Sequence, residues 1–210
     1  MANIFDLFKQ ISSTDSTKSL PVEYIVVGLG NPGKEYENTR HNAGFLAIDY
    51  IAEKSGVKID RARFKALTAT VSIGGKGVLL VKPQTYMNLS GDAAGEAARF
   101  YKVSADKVIV ISDDLNLDVG RLRARKSGSA GGQKGLNDII VKLGTEDIPR
   151  IRIGVGKKPH PDYDINDWVL SSFTKAENEA LASLYARIYS GIEKIVSGDF
   201  DAAMQICNSK

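Results

Sequence analysis

The sequence predicts a single three-layer α/β domain, with a mixed, mostly parallel, twisted sheet flanked by helices. Three observations carry that expectation. Short apolar runs at residues 24–29, 78–81, 108–111 and 151–155 read as strands, continuous rather than alternating, as strands covered on both faces are. Between them lie stretches with apolar residues at three- and four-residue spacing, the pattern of amphipathic helices. One glycine-rich turn, Gly74-Gly75-Lys76-Gly77, joins two strand-like runs as a hairpin and interrupts the parallel alternation.

In chain order, residues 1–21 read as a flexible tail. They hold one apolar cluster (Ile4, Phe5, Leu7, Phe8, Ile11) and a Ser/Thr-rich linker that ends at Pro21. The domain proper is expected over 22–210. Its first strand empties into a loop of glycine and asparagine that delivers Thr39-Arg40-His41-Asn42 to a helix marked by Phe45, Ile48, Ile51 and Ala52, with Gly56 as its stop. Residues 64–73 and 77–82 form the hairpin. Asn88 or Ser90 is the expected N-cap of an alanine-rich helix that includes Ala93, Ala94, Ala97 and Ala98. The strand at 108–111 ends at Ser112-Asp113-Asp114. Over 120–126, Arg121, Arg123 and Arg125 alternate with Leu122 and Ala124, so a half-buried strand puts the three arginines on one face. A small, flexible stretch at 127–135 leads to a helix near Leu136. The strand at 151–155 follows, then a loop over 159–168 that includes His160. A long helix starts at about Lys175, with Leu181, Leu184, Ile188, Ile192 and Ile195 as its apolar stripe.

Composition bounds the class. A chain of 210 residues with 43% apolar content can bury a core of its own. It lacks an 18-residue apolar run, so no membrane span is expected. The single cysteine, Cys207, excludes an internal disulfide, and with no signal peptide in view a cytoplasmic monomer is expected. The net charge of +3 is unevenly placed: residues 119–160 hold ten Lys/Arg and three Asp/Glu, a local +7, which leaves the remainder at −4. A basic face on a near-neutral chain points to a polyanionic partner.

The loop after the first strand formally satisfies a dinucleotide fingerprint, Gly28-Leu29-Gly30-Asn31-Pro32-Gly33. That chemistry needs a helix to open among the glycines. Here Lys34-Glu35-Tyr36-Glu37-Asn38 is polar, and two of its members are acidic, so a nucleotide-dependent oxidoreductase is a poor reading. With two histidines and one cysteine at no ligand spacing, no metal is expected, and no serine occupies a nucleophile elbow. What remains is His41, Asp113 and several asparagines at the ends of three strands. A neutral imidazole can take a proton from water as the water attacks a carbonyl carbon, and a carboxylate on the other ring nitrogen fixes the tautomer. Such a pair suits an activated ester better than an amide.

These motifs resemble a known family. GLGNPGKEYENTRHNAG, PQTYMNLSG and the Asp113-Asp114-Leu115 that follows the third strand are similar to bacterial peptidyl-tRNA hydrolase, and the resemblance runs from about Val22 through the last helix. It implies hydrolysis of the ester between a peptide and the tRNA 3′ end, with His41 as general base supported by Asp113 and no cofactor. It further implies that Asn31 helps select peptidyl-tRNA, that Asn88 binds substrate, and that Met87 shapes the peptide groove. Tyr36 and Tyr86 match positions that contact the tRNA end. Arg123, Arg125 and Arg152 match basic residues that meet the RNA backbone.

Three departures stand out. Where the family usually carries His-Asn-Gly after two glycines, this chain has Gln133-Lys134-Gly135, and Lys134 can donate but not accept a hydrogen bond. A lysine there suits a phosphate. Arg123 and Arg125 stand where lysines are common, and Asn116 replaces a frequent aspartate. The Gln133-Lys134 departure leaves open a non-catalytic RNA-binding member of the same fold as the second reading.

Overall fold

The computed structural model describes residues 20–209. Seven strands form one sheet: β1 (Val22–Gly28), β2 (Arg61–Arg63), β3 (Ala66–Ile73), β4 (Lys76–Pro83), β5 (Val108–Asp114), β6 (Leu122–Arg125) and β7 (Arg150–Gly154). Their spatial order is β2-β3-β4-β1-β5-β7-β6. The four central strands are parallel, and antiparallel partners close both edges. Among the described residues six helices accompany it: α1 (Ala43–Lys54), α2 (Ser90–Tyr101), α3 (Lys134–Leu143), α4 (Ile165–Leu170), α5 (Lys175–Val196) and α6 (Phe200–Asn208).

The alternating faces of the strands feed two cores, which gives the three layers expected. Val26, Leu80, Ile109 and Ile151 pack against α1, α5 and α6. Ile25, Val27, Leu79 and Val110 pack against the alanine face of α2 and against Leu136 and Ile139 of α3. Both faces are dry, so the central strands read as unbroken apolar runs. The edges are short and charged, as edges that must not pair with another chain are. On the β6 edge, Asn208 of α6 also bonds both the N–H and the carbonyl of Ala124.

Several local expectations change. Residues 165–170 are helical, with Asp164 as a cap that accepts from Asn166 N–H and Asp167 N–H. A further short strand, β2, and a last helix, α6, complete the chain. Neither Asn88 nor Ser90 caps α2. The N-cap is Leu89, Ser90 is the first helical residue and its hydroxyl donates to the Met87 carbonyl, and Asp138 of α3 accepts from Gly91 N–H instead. An exposed terminus needs a local cap, but this one is buried against α3 and borrows its acceptor from there. The expected tail, with its apolar cluster and linker, falls almost wholly outside the described residues.

Candidate active site

The site begins where β1 stops. Gly28 lies under α1 so closely that a Cβ there would overlap the Gly44 carbonyl, and a Cβ on Gly30 would strike the ring of Phe45. These glycines serve close helix–strand packing. Gly33, at φ 120°, is the one that turns the chain. The loop then carries Asn31 and, through two 3₁₀ turns, His41. Asn42 clasps the loop shut: its side chain accepts from Asn31 N–H at 2.8 Å and donates to the Asn31 carbonyl at 2.9 Å.

Since β4, β1 and β5 are parallel neighbours, their carboxyl ends lie side by side, the usual ligand edge of such sheets. There His41 Nδ1 meets Asp113 Oδ2 at 2.8 Å. A carboxylate accepts only, so Nδ1 carries the proton and Nε2 is left to act as a base. Asn31 Oδ1 accepts from Met87 N–H at 2.8 Å, which draws the turn after β4 toward the loop after β1. Gln133, N-cap of α3, completes the ring of contacts. Its Nε2 donates to Asp113 Oδ1 at 3.0 Å and approaches Met87 Sδ at 3.2 Å, and its Oε1 accepts from Leu136 N–H at 2.7 Å.

His41 and Asp113 line a groove of about 340 Å³, with Leu115, Ala130, Ile165 and Val169 as apolar wall and Lys134 and Arg152 as basic rim. Asn88 and Tyr86 stand exposed on and beside the turn that holds buried Met87, and Tyr36 is half-buried in the first 3₁₀ turn. Arg152 bonds Asp114 at 3.4 Å and the Ser129 carbonyl at 3.2 Å. Lys134, the first residue of α3, is exposed. Arg123 pairs in register with Arg152 and Arg125 with Arg150, so the four share one sheet face. Asn116 is exposed in the turn after β5, where its N–H donates to Asp114 Oδ1.

Two arginines depart from the sequence reading. Arg150, counted there within the basic face, is fully buried and donates to the carbonyls of Gly128, Ser129, Glu146 and Ile148. Burial pulls its pKa down to about 10. It ties down the 127–148 segment that carries Gln133. Arg40 has no role that its sequence context assigns. Its guanidinium forms a bidentate pair with Glu177 at 2.9 and 3.0 Å, donates to the Val155 carbonyl and lies 3.9 Å over the Trp168 ring. With the Arg40 N–H to Ser171 carbonyl bond, this staples the His41 turn to the α4 wall of the groove. The sequence signal for it was an arginine next to the candidate base, which reads equally as surface charge. His160 is exposed in its loop, as expected.

Among the described residues, no helix is long and apolar enough to cross a membrane, and no group of three or more His, Cys, Asp or Glu is placed to hold a metal ion.

An α/β domain with an imidazole–carboxylate pair at the carboxyl ends of its parallel strands is a broad class that many enzymes share. Comparison narrows it, because residues 25–210 match the peptidyl-tRNA hydrolase family, and the chain belongs to that family. It is 48% identical over 187 residues to peptidyl-tRNA hydrolase of Caldicellulosiruptor bescii, covering 89% of this chain and 97% of that one. To that of Carboxydothermus hydrogenoformans it is 48% identical over 181 residues, 86% and 96% of the two chains. The crystal structure of peptidyl-tRNA hydrolase from Acinetobacter baumannii superposes with a TM-score of 0.84 at 30% identity, covering 90% of this chain and 96% of that one.

Proposed function

We propose that this chain hydrolyses the ester between peptide and tRNA in peptidyl-tRNA, with His41 as general base and Asp113 as its support. The observation that carries the reading is the 2.8 Å His41–Asp113 contact at the mouth of a groove with one apolar and one basic side. A water held at His41 Nε2 adds its oxygen to the ester carbonyl carbon as the imidazole takes its proton. The tetrahedral intermediate then expels the ribose 3′ oxygen, and the same imidazolium returns the proton to it. Asp113 stabilises that imidazolium while it exists. Asn31 is assigned to the selection of peptidyl-tRNA, Asn88 to substrate binding through its amide, Met87 to the peptide groove, and Tyr36 and Tyr86 to the tRNA end. Arg123, Arg125, Lys134 and Arg152 are assigned to the RNA backbone.

In this reading residues 22–210 act as a cytoplasmic monomer, with 1–21 as a tail. Release of peptide from N-blocked aminoacyl-tRNA is the test, with H41A beside the parent. A general base contributes about 10²–10⁴-fold, so a variant within about tenfold of the parent removes His41 from that role. Salt-sensitive tRNA binding without turnover by the parent would favour the non-catalytic reading instead.

A further inference from the structure

We propose that Gln133 positions the reaction's base: its amide fixes the rotation of the Asp113 carboxylate and so holds His41 with Nε2 free to accept a proton. The inference rests on the hydrolytic reading above. Asp113 is 5% exposed, and each of its oxygens receives one side-chain donor, His41 Nδ1 on Oδ2 and Gln133 Nε2 on Oδ1. With a single donor, a carboxylate can turn about its Cβ–Cγ bond and still keep that bond. Donors on both oxygens leave one orientation.

The Gln133 amide cannot itself be reversed. Its oxygen faces Leu136 N–H, which only donates, and its nitrogen faces a carboxylate, which only accepts. Both hydrogens of Nε2 have a destination, the second being Met87 Sδ. Met87 is in turn tied through its N–H to Asn31, and Asn31 to Asn42. The contacts therefore run unbroken from the end of β1, across the turn after β4, to the base. Gln133 also rides on a ten-residue helix whose Leu136 and Ile139 are fully buried, so its position is set by the core.

The titratable and charged groups that line the same groove are His41, Asp113, Asp114 with its partner Arg152, and Lys134 at the rim. Gln133 is a neutral member of that wall and keeps one protonation state throughout the working pH range. The glutamine–lysine pair that departs from the family pattern thus divides the work: Gln133 faces the base and Lys134 faces solvent.

Q133E keeps the length and the capping oxygen but presents a second carboxylate to Asp113. We expect kcat to fall by about tenfold or more at neutral pH while KM changes less than about threefold, as befits a misplaced base rather than a lost binding contact. The pH profile of kcat should also move to higher pH, because the added negative charge stabilises the His41 imidazolium. A residue that merely capped α3 would leave kcat close to the parent's, because Q133E keeps the oxygen that accepts from Leu136 N–H. Q133M removes the donor, and the capping oxygen with it, without adding charge, and serves if Q133E does not fold by circular dichroism. It too should lose about tenfold or more in kcat. Either folded variant with kcat within about twofold of the parent and an unmoved profile overturns the inference and leaves the esterase reading standing. A parent without turnover overturns the esterase reading itself.

Discussion

Asp113 offers two acceptor oxygens to two donors, His41 Nδ1–H and Gln133 Nε2–H. An asparagine at the same place has one oxygen and one NH₂, so one donor always meets another donor. If the amide oxygen stays with Gln133, His41 is forced into the tautomer with its proton on Nε2, where it cannot act as a base. D113N is therefore expected to lower kcat by about 10²–10⁴-fold, with tRNA affinity little changed because the residue is buried. Peptide release and a filter-binding titration on the same preparation check it, and equal losses in both would place Asp113 in binding instead. At this scale the sequence was most informative for Asp113, which stands where an apolar strand meets polar residues, and for His41, which stands where a polar loop meets an apolar helix. It was least informative for Gln133 and Arg40, whose partners are 20 and 137 residues away.

Among the elements, the contact between the His41 turn and the start of α5 is the one that shapes the groove. Arg40 is buried, and Glu177 neutralises it while completing a capping box with Thr174. Burial pushes the Glu177 carboxyl upward, but the Arg40 guanidinium and the Thr174 N–H outweigh it and hold the group below its ordinary value of 4.5. A carboxyl depressed in the folded state adds stability above its unfolded pKa, and the stability is lost as pH falls through the folded one. E177Q keeps the cap but leaves the Arg40 charge uncompensated, so it should cost about 3 kcal/mol at pH 7. Denaturant titrations at pH 7 and at pH 3 should show the parent's advantage shrinking at acid pH, and an equal gap at both would exclude the ionised pair as its source.

Over the whole molecule, charge is sorted by the sheet. Of the four arginines that share one face of β6 and β7, Arg150 is taken up by backbone carbonyls and Arg152 by Asp114, which leaves Arg123 and Arg125 exposed. If these two meet RNA phosphates, log–log plots of tRNA affinity against salt should lose about 0.7–0.9 in slope for each arginine replaced by glutamine. R123Q/R125Q with the parent's slope would separate this face from the RNA. The local surplus of +7 pointed to a polyanion, yet charge counting could not tell a buried arginine from an exposed one. Burial depends on what packs above, and residues 127–132, which supply two of the four carbonyls that hold Arg150, are all glycine, serine or alanine, residues that carry no periodic signal.

Local patterning alone settled the central strands, the apolar stripe of the long helix, and the placing of Asp113 at a strand end and His41 ahead of a helix, because side-chain alternation and helical spacing are properties of neighbouring residues. Convergence is not such a property. Strands β4, β1 and β5 became neighbours only when the sheet assembled, and that assembly brought Met87 to Asn31 across 56 residues and Gln133 to Asp113 across 20. The glycines after β1 show the same division. In sequence they match a nucleotide loop. In the fold, the space beside Gly28 and Gly30 is filled by Gly44 and Phe45 of α1, because a helix can come that close to a strand only where no Cβ stands between them.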